Sequence, residues 1–265
     1  MLRVILPGTD VSVSRFVFGT ASLHHLGRIS DQAAHLEAAA SAGFTHFDTA
    51  PLYGFGGAER VLGAAFGDNA GITITTKVGL YPPGGGDPGR MAMLTRKIGG
   101  KLWPTLSRAV ADFSVSRARR SLEDSLRRLR RDHVDLLLLH EPVPGLLHTD
   151  EWLRWQEAEA RRIRHLGVAG PAGIVAPLLE TDSSLVRVIQ VRDGLDTCEA
   201  DVVTDAGRPL QLTYGYFSSD TAGRSGAEIL SGALARNLKG AILVYSRSRT
   251  RIAEFAAASA QELPC

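Results

Sequence analysis

A chain of 265 residues, 44% hydrophobic and 22% charged, is long and apolar enough to bury one large core, which excludes a disordered segment, a fibrous repeat or a disulfide miniprotein. Thirty basic against 28 acidic residues leave a formal charge of +2, too little for the positive face of a nucleic-acid binder. Two cysteines, Cys198 and Cys265, support neither a disulfide framework nor a Cys/His metal site, and neither an apolar leader nor a run of ~18 apolar residues occurs, so no membrane association and a reducing cytoplasm are expected.

In chain order, VILPGTDVSV carries a Pro-Gly-Thr-Asp turn between apolar flanks and predicts a short N-terminal β-hairpin. Eight short apolar, β-branched runs then predict strands: 15–21, 45–50, 72–79, 134–140, 166–170, 185–191, 210–215 and 241–246. Helical spacing fills the intervals between them. Ser30 and Asp31 predict the cap of a helix running to Ala42, with Gly43 as its stop. Residues 80–113 are one long irregular stretch, glycine- and proline-rich and then apolar, of the kind that forms functional lids or disordered segments. Residues 114–131 predict a long amphipathic helix with Leu122, Ser125, Leu126 and Leu129 facing inward.

Eight strand–helix units in about 250 residues fit an α/β chain closed into a (β/α)8 TIM barrel, and no linker or composition shift divides it, so a single domain over 1–265 is expected. An open doubly wound sheet is the rival. It usually carries G-x-G-x-x-G after its first strand when it binds a dinucleotide, and GTASLH stands there instead.

Barrel enzymes keep reacting groups at the C-terminal ends of strands. The second strand candidate ends in FDTAPLYG, with Asp48 and Tyr53; the third in TTKVG, with Lys77; the fourth in LLLLHEP, with His140. Only four residues of the chain are lysine, so one inside an apolar strand stands out. An ammonium beside a phenol favours the phenolate and lowers its pKa; Asp48 is the counter-ion that keeps Lys77 charged; His140 can orient a substrate oxygen. Together they suit proton delivery to a carbonyl oxygen. Taken singly, each has a plain structural reading as a turn cap, a packed loop tyrosine or a core histidine.

HFDTAPLYG, GGAERVLG, ITITTKVG and SLEDSLRRLRRDHVDLLLLHEP, in that order and spacing, are similar to the main signatures of the aldo-keto reductases, and the resemblance runs over nearly the whole chain. It implies a (β/α)8 barrel and a nicotinamide dinucleotide, NADP(H) favoured and NAD(H) open, bound extended without a Rossmann turn. Tyr53 then resembles the family's general acid, Lys77 its pKa-lowering partner, Asp48 the lysine's carboxylate and His140 the carbonyl-orienting residue. On the cofactor side, Gln190 resembles the glutamine that bonds the nicotinamide carboxamide and Tyr214 the aromatic stacked on the ring. In YSRSRTRIAEF, Ser246, Arg247, Arg251 and Glu254 resemble the segment that holds the adenosine 2′-phosphate, with Arg247 and Arg251 expected on one helical face.

Three departures stand out. Ala169-Gly170 replaces the usual Ser-Asn pair, which removes two carboxamide contacts, and Tyr245 stands where many NADPH-preferring members have lysine. The chain also stops soon after its last helix, so substrate selection is expected to fall on other loops, 80–113 first, with Met91, Met93 and Trp103 as apolar lining. Within the family the 111–142 segment resembles the bacterial branch that oxidises aldoses or reduces pyridoxal. The expected partner is a small carbonyl or sugar substrate and the expected assembly a monomer or weak homo-oligomer. Two other classes stay open: a cofactor-binding barrel without turnover, and a lyase forming a Schiff base on Lys77.

Overall fold

In the computed structural model, which describes residues 1–83 and 109–260, β1 (Arg3–Ile5) and β2 (Ser12–Ser14) form an antiparallel hairpin with Val4 opposite Val13, and Gly8 at φ +74° makes its turn. β3 (Phe16–Gly19), β4 (His46–Asp48) and β5 (Thr73–Val78) follow, alternating with α1 (Ile29–Ser41) and α2 (Gly57–Phe66). A small antiparallel ribbon comes next, β6 (Leu80–Tyr81) on β7 (Val110–Ala111), then α3 (Val115–Leu129) and β8 (Val134–His140). The second half runs α4 (Thr149–Ala158), β9 (Ile163–Gly170), α5 (Ala172–Glu180), β10 (Ile189–Arg192), α6 (Asp201–Asp205) and β11 (Leu212–Tyr214). It ends with α7 (Tyr216–Ser219), α8 (Gly226–Arg236), β12 (Ala241–Val244) and α9 (Arg249–Ala260).

The eight parallel strands β3, β4, β5, β8, β9, β10, β11 and β12 close in that order, β12 pairing back on β3, into the expected (β/α)8 barrel. The period-2 alternation of a strand divides the core into two layers. Phe47, Leu137, Leu139, Ile189 and Val191 point outward into a shell packed under the helices. Val17, Leu136, Leu138, Val188, Leu212 and Ala241 fill the barrel, where Leu6, Val11 and Val13 of the hairpin segment pack against them as a floor. Arg164 fastens that floor, reaching Asp10 at 2.9 Å and Asp135 at 2.7 Å, with His165 Nε2 2.6 Å from Asp10. Among the described residues no helix is long and apolar enough to cross a membrane.

Several boundaries move. The strand read at 185–191 begins only at Ile189, because Leu185, Val186 and Val188 are buried from turns, and an apolar run without a clear period cannot tell the two apart. Ser30 and Asp31 lie inside the first turn of α1; its cap position is Arg28, with no side-chain cap bond, and Asp31 instead faces the positive helix end. Gly43 does terminate that helix, at φ +98°. The stretch 80–113 is not irregular throughout, since its ends pair as β6 and β7; Met91, Met93 and Trp103 lie outside the described residues. α3 buries Leu122, Ser125, Leu126 and Leu129 as expected, capped by Ser114, whose hydroxyl accepts the Arg117 N–H at 3.4 Å.

α2 and α3 pack closely because Gly63 has no side chain: a Cβ there would lie 2.1 Å from the Arg128 carbonyl oxygen. Beside it Glu59, fully buried, accepts from Thr76 Oγ1 and Arg128 Nε, both at 2.7 Å. This bridge between α2, β5 and α3 secures the outer face of the strand that carries Lys77.

Candidate active site

The same alternation that sends Phe47 and Thr76 outward sends Asp48 and Lys77 inward, and in β8 and β10 it sends His140 and Gln190 the same way. All four end up at the C-terminal mouth of the barrel. Lys77 Nζ donates to Asp48 Oδ1 at 2.5 Å, to the Thr49 carbonyl at 3.1 Å and to Tyr53 Oη at 3.3 Å. Tyr53 hangs from the loop after β4, where Gly54, Phe55 and Gly56 all adopt positive φ and let the chain fold back toward α2. Its ring meets His140 edge-on, with centroids 6.0 Å apart. The structure thus brings together the acid, phenol, ammonium and imidazole singled out in the sequence.

At Tyr53 the expected pull of Lys77 meets a larger opposing effect. Burial raises the Tyr53 pKa above the ordinary phenol value; the Lys77 charge pulls it down and does not prevail. For Lys77 burial works against the charge, but Asp48 and Tyr53 outweigh it and the ammonium is held protonated. Burial, followed by the Lys77 charge, lowers His140 to about 3, so its ring is neutral at physiological pH, and its buried Nδ1 has no hydrogen-bond partner among the described residues.

Two residues before Asp48 on β4, His46 sits between Thr73 Oγ1 and Thr75 Oγ1, each at 2.7 Å, and burial lowers it to about 4. The unfolded chain therefore binds protons that the folded chain refuses. Stability is full above pH ~6.5 and falls as pH drops toward 4, by up to about 1.4 kcal/mol per pH unit for His46. Urea midpoints measured from pH 7.5 to 5 should decrease, and a flat profile would contradict a neutral buried His46.

Gln190, 2% exposed, donates Nε2 to Asp48 Oδ2 at 2.8 Å. A carboxylate only accepts, so the amide must present its nitrogen there, which leaves its oxygen for a ligand. From Asp48 and Tyr53 a cleft of about 300 Å³ runs between the ends of β3, β11 and β12, walled by Tyr214, Phe217 and Tyr245. Its aromatic wall suits a flat ring. Ser246 is buried and occupied locally: its hydroxyl accepts the Ser248 N–H at 3.0 Å and its carbonyl meets His35 Nε2 at 2.6 Å. Arg247 and Arg251 are exposed, but Arg247 precedes α9, so the two do not share a helical face as the i, i+4 spacing suggested. Arg251 lies over the Phe217 ring at 5.7 Å and 3.8 Å from Glu254.

Sequence reading missed three supports. Asp193 accepts from Tyr216 Oη at 2.8 Å and Arg236 Nε at 2.7 Å, which pins the start of α7 and hence the cleft wall. Tyr245 Oη donates to the Ser22 carbonyl at 3.0 Å, joining the β12 end to the loop after β3. The Asp48–Gln190 bond spans the barrel. None has a local signal, because each joins residues far apart in the chain.

The sequence profile of the aldo/keto reductase family matches residues 15–173, and the chain belongs to that family. It is 36% identical over 197 residues to a D-threo-aldose 1-dehydrogenase from a Pseudomonas species, covering 72% of this chain and 56% of the relative. It is 33% identical over 156 residues to a 6-dehydroglucose reductase of Agrobacterium fabrum, covering 54% and 45%, and 30% identical over 161 residues to a pyridoxal 4-dehydrogenase of Microbacterium luteolum, covering 54% and 43%. The matches span about half the length of these relatives. Among solved structures, an aldo-keto reductase of Bacillus halodurans superposes with a TM-score of 0.76 at 19% identity, covering 100% of this chain and 93% of the other, and shows the shared fold. A glycerol dehydrogenase of Gluconobacter oxydans gives 0.73 at 20% identity, covering 99% and 91%.

Proposed function

We propose that the chain is an NAD(P)(H)-dependent oxidoreductase that interconverts a carbonyl with an alcohol, or a sugar lactone with a lactol, with Tyr53 as general acid and base. The observation that carries this reading is the Lys77 ammonium in reach of both Asp48 and the Tyr53 hydroxyl, with a neutral His140 ring beside them. A nicotinamide dinucleotide, when bound, supplies or accepts the hydride. Tyr53 Oη gives its proton to the carbonyl oxygen in reduction and takes one from the hydroxyl in oxidation. Lys77 stabilises the phenolate left behind, and Asp48 keeps Lys77 charged. His140 donates its one ring N–H to the substrate oxygen and orients it. The Gln190 amide oxygen would accept from the carboxamide and Tyr214 would face the ring. Ser246, Arg247 and Arg251 would meet the 2′-phosphate, with Glu254 orienting Arg251. The relatives' names make aldoses and pyridoxal the first substrates to try.

The test is absorbance at 340 nm with NADPH or NADH against a panel of aldehydes, aldoses and pyridoxal. Tight cofactor binding with no turnover anywhere would favour a cofactor-binding barrel of another role. Arg251→Ala is expected to weaken NADPH by roughly 1.5–3 kcal/mol, the size of a charge-assisted hydrogen bond, and NADH little. Equal losses for the two in a fluorescence titration would remove the phosphate role. The Schiff-base alternative is disfavoured by Lys77 itself, whose protonated amine donates to three partners and has no free pair for attack on a carbonyl.

A further inference from the structure

We infer that Glu141 is a charge filter at the substrate side of the mouth, selecting against carbonyl compounds that carry an anionic group and leaving neutral polyhydroxy aldehydes and lactols as the substrate class. This rests on the oxidoreductase reading above. Glu141 follows His140 directly at the end of β8 and adopts φ +50°, a conformation that is uncommon for a residue with a side chain. It is held there by its own N–H, which donates to the Ala169 carbonyl at 2.7 Å. Gly170 beside it contributes no side chain; even a Cβ there would lie 3.6 Å from the Glu141 Cα. The Glu141 side chain is exposed, and among the described residues its carboxylate has no hydrogen-bond or ion-pair partner.

Among the described residues, the other charges next to the phenol have partners. Lys77 and Asp48 are paired with each other, and the second Asp48 oxygen is taken by Gln190. Arg192, at the end of β10, has Glu199 at 3.6 Å. Burial is the largest cause at both phenols; the Glu141 charge opposes ionisation next after it at Tyr214 and most weakly of the causes at Tyr53, behind Lys77 and Asp48, so its field is strongest toward the cleft wall and reaches the proton donor. Among the described residues, Glu141 therefore adds a negative charge at this edge of the mouth with no cation paired to it. An anionic substituent near the reacting carbon is repelled, whereas hydroxyl groups can donate to the free carboxylate.

The experiment compares kcat/KM for 4-nitrobenzaldehyde, neutral, with 4-carboxybenzaldehyde, anionic, in the wild type, Glu141→Gln, Glu141→Asp and Glu141→Lys. Glu141→Gln should raise the anionic-to-neutral ratio by about 5- to 10-fold at low ionic strength and Glu141→Lys further, while Glu141→Asp keeps the wild-type ratio. The gap should shrink as salt screens the charge. A structural defect would lower both substrates together and leave the ratio and its salt dependence unmoved. An unchanged ratio in Glu141→Gln and Glu141→Lys, with the wild type turning over the neutral aldehyde, would overturn the filter alone. A wild type without turnover on either aldehyde would bring down the oxidoreductase reading, and the filter with it.

Discussion

Tyr53→Phe is expected to lower turnover by about 10²- to 10⁴-fold, the usual contribution of a positioned general acid, while the NADPH dissociation constant stays within about threefold. The substitution removes one oxygen and keeps the ring that packs edge-on against His140, so the local fold survives. Lys77 loses its third acceptor but keeps Asp48 and the Thr49 carbonyl. Binding and chemistry are thereby separated: fluorescence titration reads the first and absorbance at 340 nm the second. A variant with wild-type turnover would remove Tyr53 from the proton path. Because burial outweighs Lys77 at this phenol, the alkaline limb reporting Tyr53 ionisation in the free protein should lie above the ordinary tyrosine range.

The second large effect concerns stability. Lys77 and Asp48 are 2% and 1% exposed, so removing either leaves the other charge buried without its partner. Lys77→Met and Asp48→Asn should each cost about 3–5 kcal/mol in urea unfolding. The double variant should recover much of that loss, since no lone charge remains and an amide at position 48 can still pair with Gln190. Its turnover should stay lost, because the phenolate has no cation beside it. Additive stability losses, with no recovery in the double variant, would show that the pair is not the isolated buried unit described.

The strands were largely readable because parallel strands covered on both faces are short apolar runs, and VDLLLLH is found at its predicted limits, 134–140. Lys77 stood out for the same reason, as a lone charge within such a run. The N-cap of α1 was misread by two residues, and the start of the strand read at 185–191 was misread too, where turn and strand share the same apolar composition. The site residues were legible as separate signals at strand ends, but their partners were not: the Gln190–Asp48 bond joins residues 142 positions apart.

Local order along the chain determined where strands alternate with helices and which residues each strand end offers, because hydrophobic period and turn chemistry act over a few neighbours. Closure of the barrel decided the rest. It set which side chains share the mouth, how far burial overrides the lysine at Tyr53, and that Glu141 stands without an ion-pair partner among the described residues, because desolvation and Coulomb energies depend on distances that only the assembled fold defines.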